Sequence, residues 1–115
     1  MITLQGVDPR MIANNLTPFR PIHPGEILKD EIEYRGMSQN KLAEQMGMDY
    51  KMLNNILNAH RPLTTTSAIL FEAVLDIPAD ALMRMQLDYN MQIAKKDKKL
   101  MERFNEIKNV AAVLF

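Results

Sequence analysis

The sequence predicts an all-α protein, a bundle of about five helices with an additional C-terminal helix. Three observations carry that prediction. Apolar residues recur at helical spacing in successive segments from Pro24 onward. Helix-stopping residues separate those segments, among them Gly36, Gly47 and the Asp76-Ile77-Pro78 break. Between Ser38 and Arg61 the chain reads as two short helices joined by a glycine turn, the second presenting polar side chains outward.

Composition narrows the class. At 115 residues the chain is one domain with room for a short appendage. Apolar residues make up 47% and charged residues 24%, the balance of a soluble protein with a real core. Only 6% are aromatic, there is no Trp, and ten Met join Leu and Ile as adaptable packing material. The lack of Cys excludes disulfides, thiolate nucleophiles and Cys-ligated metal. The apolar runs are too short to span a membrane. The first ten residues, MITLQGVDPR, lack the basic-then-apolar order of a signal peptide. A cytoplasmic protein with no membrane partner is expected.

The first twenty residues form an N-terminal arm, partly ordered. Asp8-Pro9 offers a helix start, with Met11, Ile12 and Leu16 along one edge. Thr17 to Gly25 is proline-punctuated and extended, a boundary rather than an element. Helix 1 follows over about Pro24 to Arg35, with Ile27, Leu28, Ile32 and Tyr34 inward. Glu26, Lys29, Asp30, Glu31 and Glu33 are solvated, and acid near the helix start suits its dipole. Glu26, Asp30 and Glu33 share a face, yet no His joins them at ligand spacing. They read as an acidic surface that points away from phosphate, not as a catalytic or metal site.

Gly36 ends helix 1 in the left-handed conformation. Ser38 then caps helix 2, about Gln39 to Met46, which turns Leu42, Ala43 and Met46 inward. Gly47 fills the turn, and Asp49 caps helix 3, about Tyr50 to Asn58, with Leu53, Ile56 and Leu57 inward. Helix 4 spans about Thr65 to Leu75 behind the Thr64-Thr65-Thr66 cluster and buries Ala68, Ile69, Phe71 or Leu70, and Ala73-Val74. Helix 5 runs from about Pro78 to Lys95, and its apolar positions exceed one stripe, which calls for cover by another helix or a second chain. A solvated basic hinge, Lys95 to Lys99, leads into a last amphipathic stripe of Leu100, Phe104, Ile107, Ala111 and Leu114.

The outer face of helix 3 carries Tyr50, Lys51, Asn54, Asn55 and Asn58. A merely solvated helix favours Glu, Lys and Gln, because Asn and Tyr are poorer helix formers. Asn, however, pairs with base edges through both amide groups, and Lys reaches guanine acceptors or phosphate. Two helices joined by a glycine turn and presenting such a face make a helix-turn-helix DNA-binding module. Tyr50, Lys51, Asn54 and Asn55 are the expected base contacts. Ser38, Gln39, Asn58, His60 and Arg61 are the expected backbone contacts. His60 is not read as a metal ligand, since His23 is the only other His. Net charge is zero, and Arg20 to Arg61 carries six basic and six acidic side chains. DNA binding then requires locally sorted charge and a dimer, because such domains ordinarily carry excess Lys and Arg.

The pattern Ser38-Gln39, Leu42-Ala43, Gly47, Leu53, Ile56-Leu57-Asn58 and Arg61 resembles the lambda-repressor-like (XRE) helix-turn-helix family. The lead-in His23-Pro24-Gly25-Glu26-Ile27-Leu28, with Gln86 and Tyr89 on helix 5, is similar to HigA-type antitoxins of type II toxin–antitoxin systems. The resemblance covers roughly residues 20–95. It implies an all-α, homodimeric repressor of its own operon, bound to a palindromic operator, that also neutralises a ribosome-dependent mRNA-cleaving ribonuclease toxin. Its base contacts fall on Tyr50, Lys51, Asn54 and Asn55, and Gln39 meets phosphate. No cofactor and no catalysis are implied. The sequence departs from the family at Asp49, where Ser or Thr is common, and at Ala59, where Gly is frequent. The domains are then the arm at 1–20, the DNA-binding domain at 21–95 and a C-terminal helical extension at 96–115. Two other functions fit the same residues, a stand-alone XRE-type regulator and a protein-interaction module without DNA contact.

Overall fold

Six helices make up residues 20–114, the part of the chain that the computed structural model describes. They are α1 (Pro24–Tyr34), α2 (Gln39–Met46), α3 (Tyr50–Leu57), α4 (Thr65–Leu75), α5 (Ala79–Lys95) and α6 (Lys98–Leu114). No strand occurs among the described residues. The short helix expected from Asp8-Pro9, and nearly all of the arm, lies outside them.

The local signals work as their chemistry dictates. Gly36 and Gly47 close α1 and α2 at φ of 68° and 64°, where a Cβ would be strained. Ser38 accepts the Lys41 N–H, and Thr64 and Ser67 cap each other reciprocally at the start of α4. Pro78 has no side-chain oxygen to cap α5, so Glu72 reaches across from α4 and accepts the Ala79 N–H at 2.9 Å. Asp76 ends α4 in the left-handed region, which Asp tolerates better than most residues.

The core gathers Leu28 and Ile32 of α1, Leu42, Ala43 and Met46 of α2, and Leu53, Ile56 and Leu57 of α3. Ala68, Phe71 and Leu75 of α4 and Leu82 of α5 complete it, together with Leu63 from the loop after α3. Phe71 is its central aromatic ring and is wholly enclosed.

Two sequence expectations, the inward faces of α1 and α4, are corrected. Ile27 is 41% exposed and Tyr34 88% exposed, not inward. On a helix Tyr34 stands about 200° round from Ile32, so both cannot face one core. Ile69 and Ala73 of α4 face out for the same reason, each two positions from Phe71. On α5 only Ala79, Leu82 and Gln86 are buried, while Leu87, Met91 and Ile93 stay exposed. The basic hinge is short, since α6 resumes at Lys98 with the Asp97 carboxylate accepting the Leu100 N–H.

α6 packs against α5 yet buries none of its own residues. The radius of gyration is 18.8 Å, against about 13 Å for a compact chain of this size. α6 therefore stands off the bundle. Its stripe of Leu100, Phe104, Ile107 and Leu114 continues the exposed apolar side of α5.

Two glycine-sensitive positions flank α3 and are expected to respond with opposite sign. Ala59 adopts φ 63°, so Ala59→Gly should stabilise by about 1 kcal/mol and raise Tm by about 4–8 °C. A Cβ on Gly25 would sit 1.9 Å from the Ile56 carbonyl oxygen, so Gly25→Ala should destabilise by about 1–3 kcal/mol or more. Thermal denaturation reads both. An unchanged Tm in either variant would contradict the corresponding backbone geometry.

Candidate nucleic-acid interface

α2 and α3 are joined by a tight turn in which the Met48 N–H returns to the Ala43 carbonyl at 2.9 Å. Their inner faces are buried, so the first turn of α2 and the outer side of α3 remain for a ligand. Tyr50 is 45% exposed, Lys51 is exposed, and Met52 beside them is 41% exposed. Asn54, Asn55 and Asn58 are half-buried. At the far end Ala59 turns the chain, and the His60 and Arg61 N–H groups both donate to the Asn55 carbonyl. That leaves the side chains of His60 and Arg61 exposed. The structure thus brings Ser38, Gln39, Tyr50, Lys51, Asn54, Asn55 and Asn58 onto one pair of helices, with His60 and Arg61 at its rim.

Three of these residues, Gln39, Asn54 and Asn58, are already engaged with one another. Asn54 Nδ2 donates to Gln39 Oε1 at 3.2 Å, and Asn58 Nδ2 donates to the Asn54 carbonyl and to Asn54 Oδ1. Lys29 of α1 donates to Asn58 Oδ1 at 2.9 Å. Asn54 keeps one amide hydrogen and one lone pair for a further partner. Tyr50, Lys51 and Asn55 make no side-chain hydrogen bond among the described residues.

Charge is sorted locally. Neither α2 nor α3 has an acidic residue in its first turn, nor do α4 and α6, and apart from the Lys41 N–H that Ser38 caps, the first amides of α2 are open to an anion. α1 and α5 carry Glu26 and Asp80 in theirs. Asp49 is the exception at this face: it occupies the cap position of α3, makes no side-chain cap hydrogen bond and is exposed. The acidic edge of α1 lines a groove with Lys29, Asn58 and Ala59, at the opposite end of α3 from Tyr50 and Lys51.

A polar collar fixes the C-terminal end of α3, and most of it escaped the sequence reading. His23 is 2% exposed and caps α1, its Nδ1 accepting the Gly25 N–H at 2.8 Å. The Glu26 carboxylate accepts the His23 N–H and takes a forked pair of bonds from Arg20. The His23 ring also meets Tyr89 of α5 edge-on, with ring centroids 4.9 Å apart. Gln86, 4% exposed, accepts the Leu63 N–H at 2.7 Å and donates to Asn90. Gln86 was discoverable as a polar residue one turn after Leu82 on the inward stripe. His23 was discoverable from His-Pro-Gly-Glu, where only the ring can cap the helix.

Residues 28–82 match the family model described as Helix-turn-helix. A virulence-associated protein I of Dichelobacter nodosus is 31% identical over 67% of this chain and 72% of that protein. An addiction module antidote protein of the HigA family from Coxiella burnetii superposes with a TM-score of 0.66. It is 32% identical over 74% of this chain and 95% of its own. Pseudomonas aeruginosa antitoxin HigA, solved with the higBA promoter, gives a TM-score of 0.66 at 31% identity, over 73% of this chain and 94% of its own. The chain therefore belongs to the helix-turn-helix family of XRE type. Within that family it falls among the HigA-type antitoxins.

Burial lowers the His23 pKa below 6.5, against smaller opposing effects from the Arg61 backbone and Glu26. Protonation would charge an enclosed ring and remove the Nδ1 cap. Because the folded value is depressed, this stabilisation is complete above about pH 6.5 and drains as pH falls toward the folded value. Glu26 is also lowered, chiefly by Arg20, so its contribution is lost only below the carboxylate value of 4.5. Tm should fall between pH 7 and pH 5, and a His23→Gln variant should show a flatter profile over that range. Parallel profiles would contradict a neutral, capping His23.

Proposed function

We propose that this chain is an antitoxin that binds DNA in a sequence-specific manner, represses its own operon and neutralises a partner mRNA-cleaving ribonuclease toxin in the cytoplasm. The observation that carries the DNA reading is the acid-free N-terminus of α2 beside the exposed Tyr50 and Lys51 of α3. Gln39, Ser38 and the α2 amides hold one phosphate, and Arg61 and His60 hold another, which sets register. Tyr50, Lys51 and Asn55 then meet base edges, with Asn54 adding its remaining valence. A HigA relative solved with its promoter DNA supports this reading, and antitoxin relatives support the toxin partner. No catalytic step is assigned to any residue.

Two copies on a palindrome would place α3 in major grooves about 34 Å apart. The uncovered apolar sides of α5 and α6 are the surfaces that support self-association. A second reading, a protein-interaction module without DNA contact, draws on zero net charge and on Asp49 at the edge of the interface.

Fluorescence anisotropy on DNA from immediately upstream of this chain's own gene separates the two. Lys51→Ala or Asn55→Ala should each weaken operator binding by roughly 1–3 kcal/mol while changing random-sequence binding little. Equal losses on both DNAs would show that α3 does not read bases. No binding by the wild type would favour the interaction module.

A further inference from the structure

We infer that Lys29, on α1 and outside the helix-turn-helix, is a positioning residue that sets which end of the Gln39 side chain faces DNA. The inference rests on the DNA-binding reading above and deepens it.

Four polar side chains form one directional chain across three helices. Lys29 Nζ meets Asn58 Oδ1 at 2.9 Å, and Asn58 Nδ2 meets Asn54 Oδ1 at 3.2 Å. Asn54 Nδ2 in turn meets Gln39 Oε1 at 3.2 Å. Each amide in such a chain could be reversed without changing its shape, so something must fix the direction. Lys29 does so. An ammonium only donates, so Asn58 must turn its oxygen toward Lys29 and its nitrogen toward Asn54. The same Asn58 nitrogen also donates to the Asn54 backbone carbonyl at 2.9 Å, which accepts only. Asn54 must then accept at Oδ1 and donate to Gln39 from Nδ2. Gln39 is left with its oxygen turned toward Asn54 and its Nε2, two N–H donors, at the open end of the chain.

That polarity suits the ligand. Gln39 is the first residue of α2, where the N-terminal N–H groups and dipole also favour an anion. A phosphate oxygen accepts and cannot donate, so only the Nε2 end of Gln39 can bind it. If the chain ran the other way, Gln39 would present a carbonyl oxygen to phosphate and repel it. Lys29 thus acts at the DNA through Asn58 and Asn54, without touching it.

The test compares the wild type with Lys29→Met, Lys29→Arg, Gln39→Ala and the Lys29→Met/Gln39→Ala double variant. In the DNA-free protein, Lys29→Met should shift the side-chain amide resonances of Asn58, Asn54 and Gln39 together. Lys29→Arg, which also only donates, should leave the Asn54 and Gln39 resonances near their wild-type positions. On operator DNA, Lys29→Met should weaken binding about tenfold, Lys29→Arg should restore it, and the double variant should lose no more than Gln39→Ala alone. The salt dependence of Lys29→Met should match the wild type. A slope reduced by about one ion would mean that Lys29 contacts phosphate directly and would overturn the inference. Additive losses, or Asn54 and Gln39 resonances unmoved by Lys29→Met, would overturn it as well. A wild type that ignores operator DNA would count against the function proposed above, and the resonances of the free protein would still decide the relay.

Discussion

The contact on which the rest depends is the approach of Gly25 to the carbonyl of Ile56. At that point the first turn of α1 lies directly on the last turn of α3, closer than any side chain permits. The approach fixes where α3 ends and which way it points. It also determines what must surround it. A helix start pressed against a helix end leaves backbone groups of both to be satisfied away from water. His23 caps one, and Gln86 answers Leu63 just beyond. Tyr89 seals the ring from the α5 side. The His-Pro-Gly-Glu stretch is therefore one device: a cap, a pre-set φ, an absent side chain and a reciprocal acid.

Much of this was legible in the residues. Helix boundaries fell close to expectation because Gly36, Gly47, Ser38 and Thr64 are local signals with local physics. The inner faces of α2 and α3 were likewise readable from Leu42, Met46, Leu53 and Ile56. The faces of α1 and α4 were less so, since Ile27, Tyr34 and Ile69 are apolar yet stand on the wrong side of short helices. Binary pattern cannot tell a core residue from an exposed one when a segment is apolar on several sides. The polar residues with distant partners were the least legible. His23, Gln86 and Lys29 act on partners far along the chain, and their hydrogen bonds exist only once the tertiary fold brings those partners near.

A neutral chain can present a DNA-binding face if its charges are segregated, and the helix termini show how. Acid is absent from the first turns of α2 and α3, as it is from those of α4 and α6, and present at those of α1 and α5, with Asp49 at the cap of α3. The Asn-rich side of α3 is held by neutral amides and one lysine, so it adds hydrogen-bonding direction without adding much field. Such a surface favours short-range reading over long-range attraction. Ala59 in the left-handed region adds a small strain at the rim, next to the basic turn.

The central claim is that α2 and α3 form the DNA face, held by a collar at the end of α3. Amide hydrogen exchange of the full chain, with and without its upstream operator DNA, tests that claim most directly. Protection gained on DNA should concentrate at Gln39 to Lys41 and Tyr50 to Asn55, with the exposed edge of α1 unchanged. Protection confined to α1, or to α5 and α6, would contradict the account and move the binding face elsewhere on the molecule.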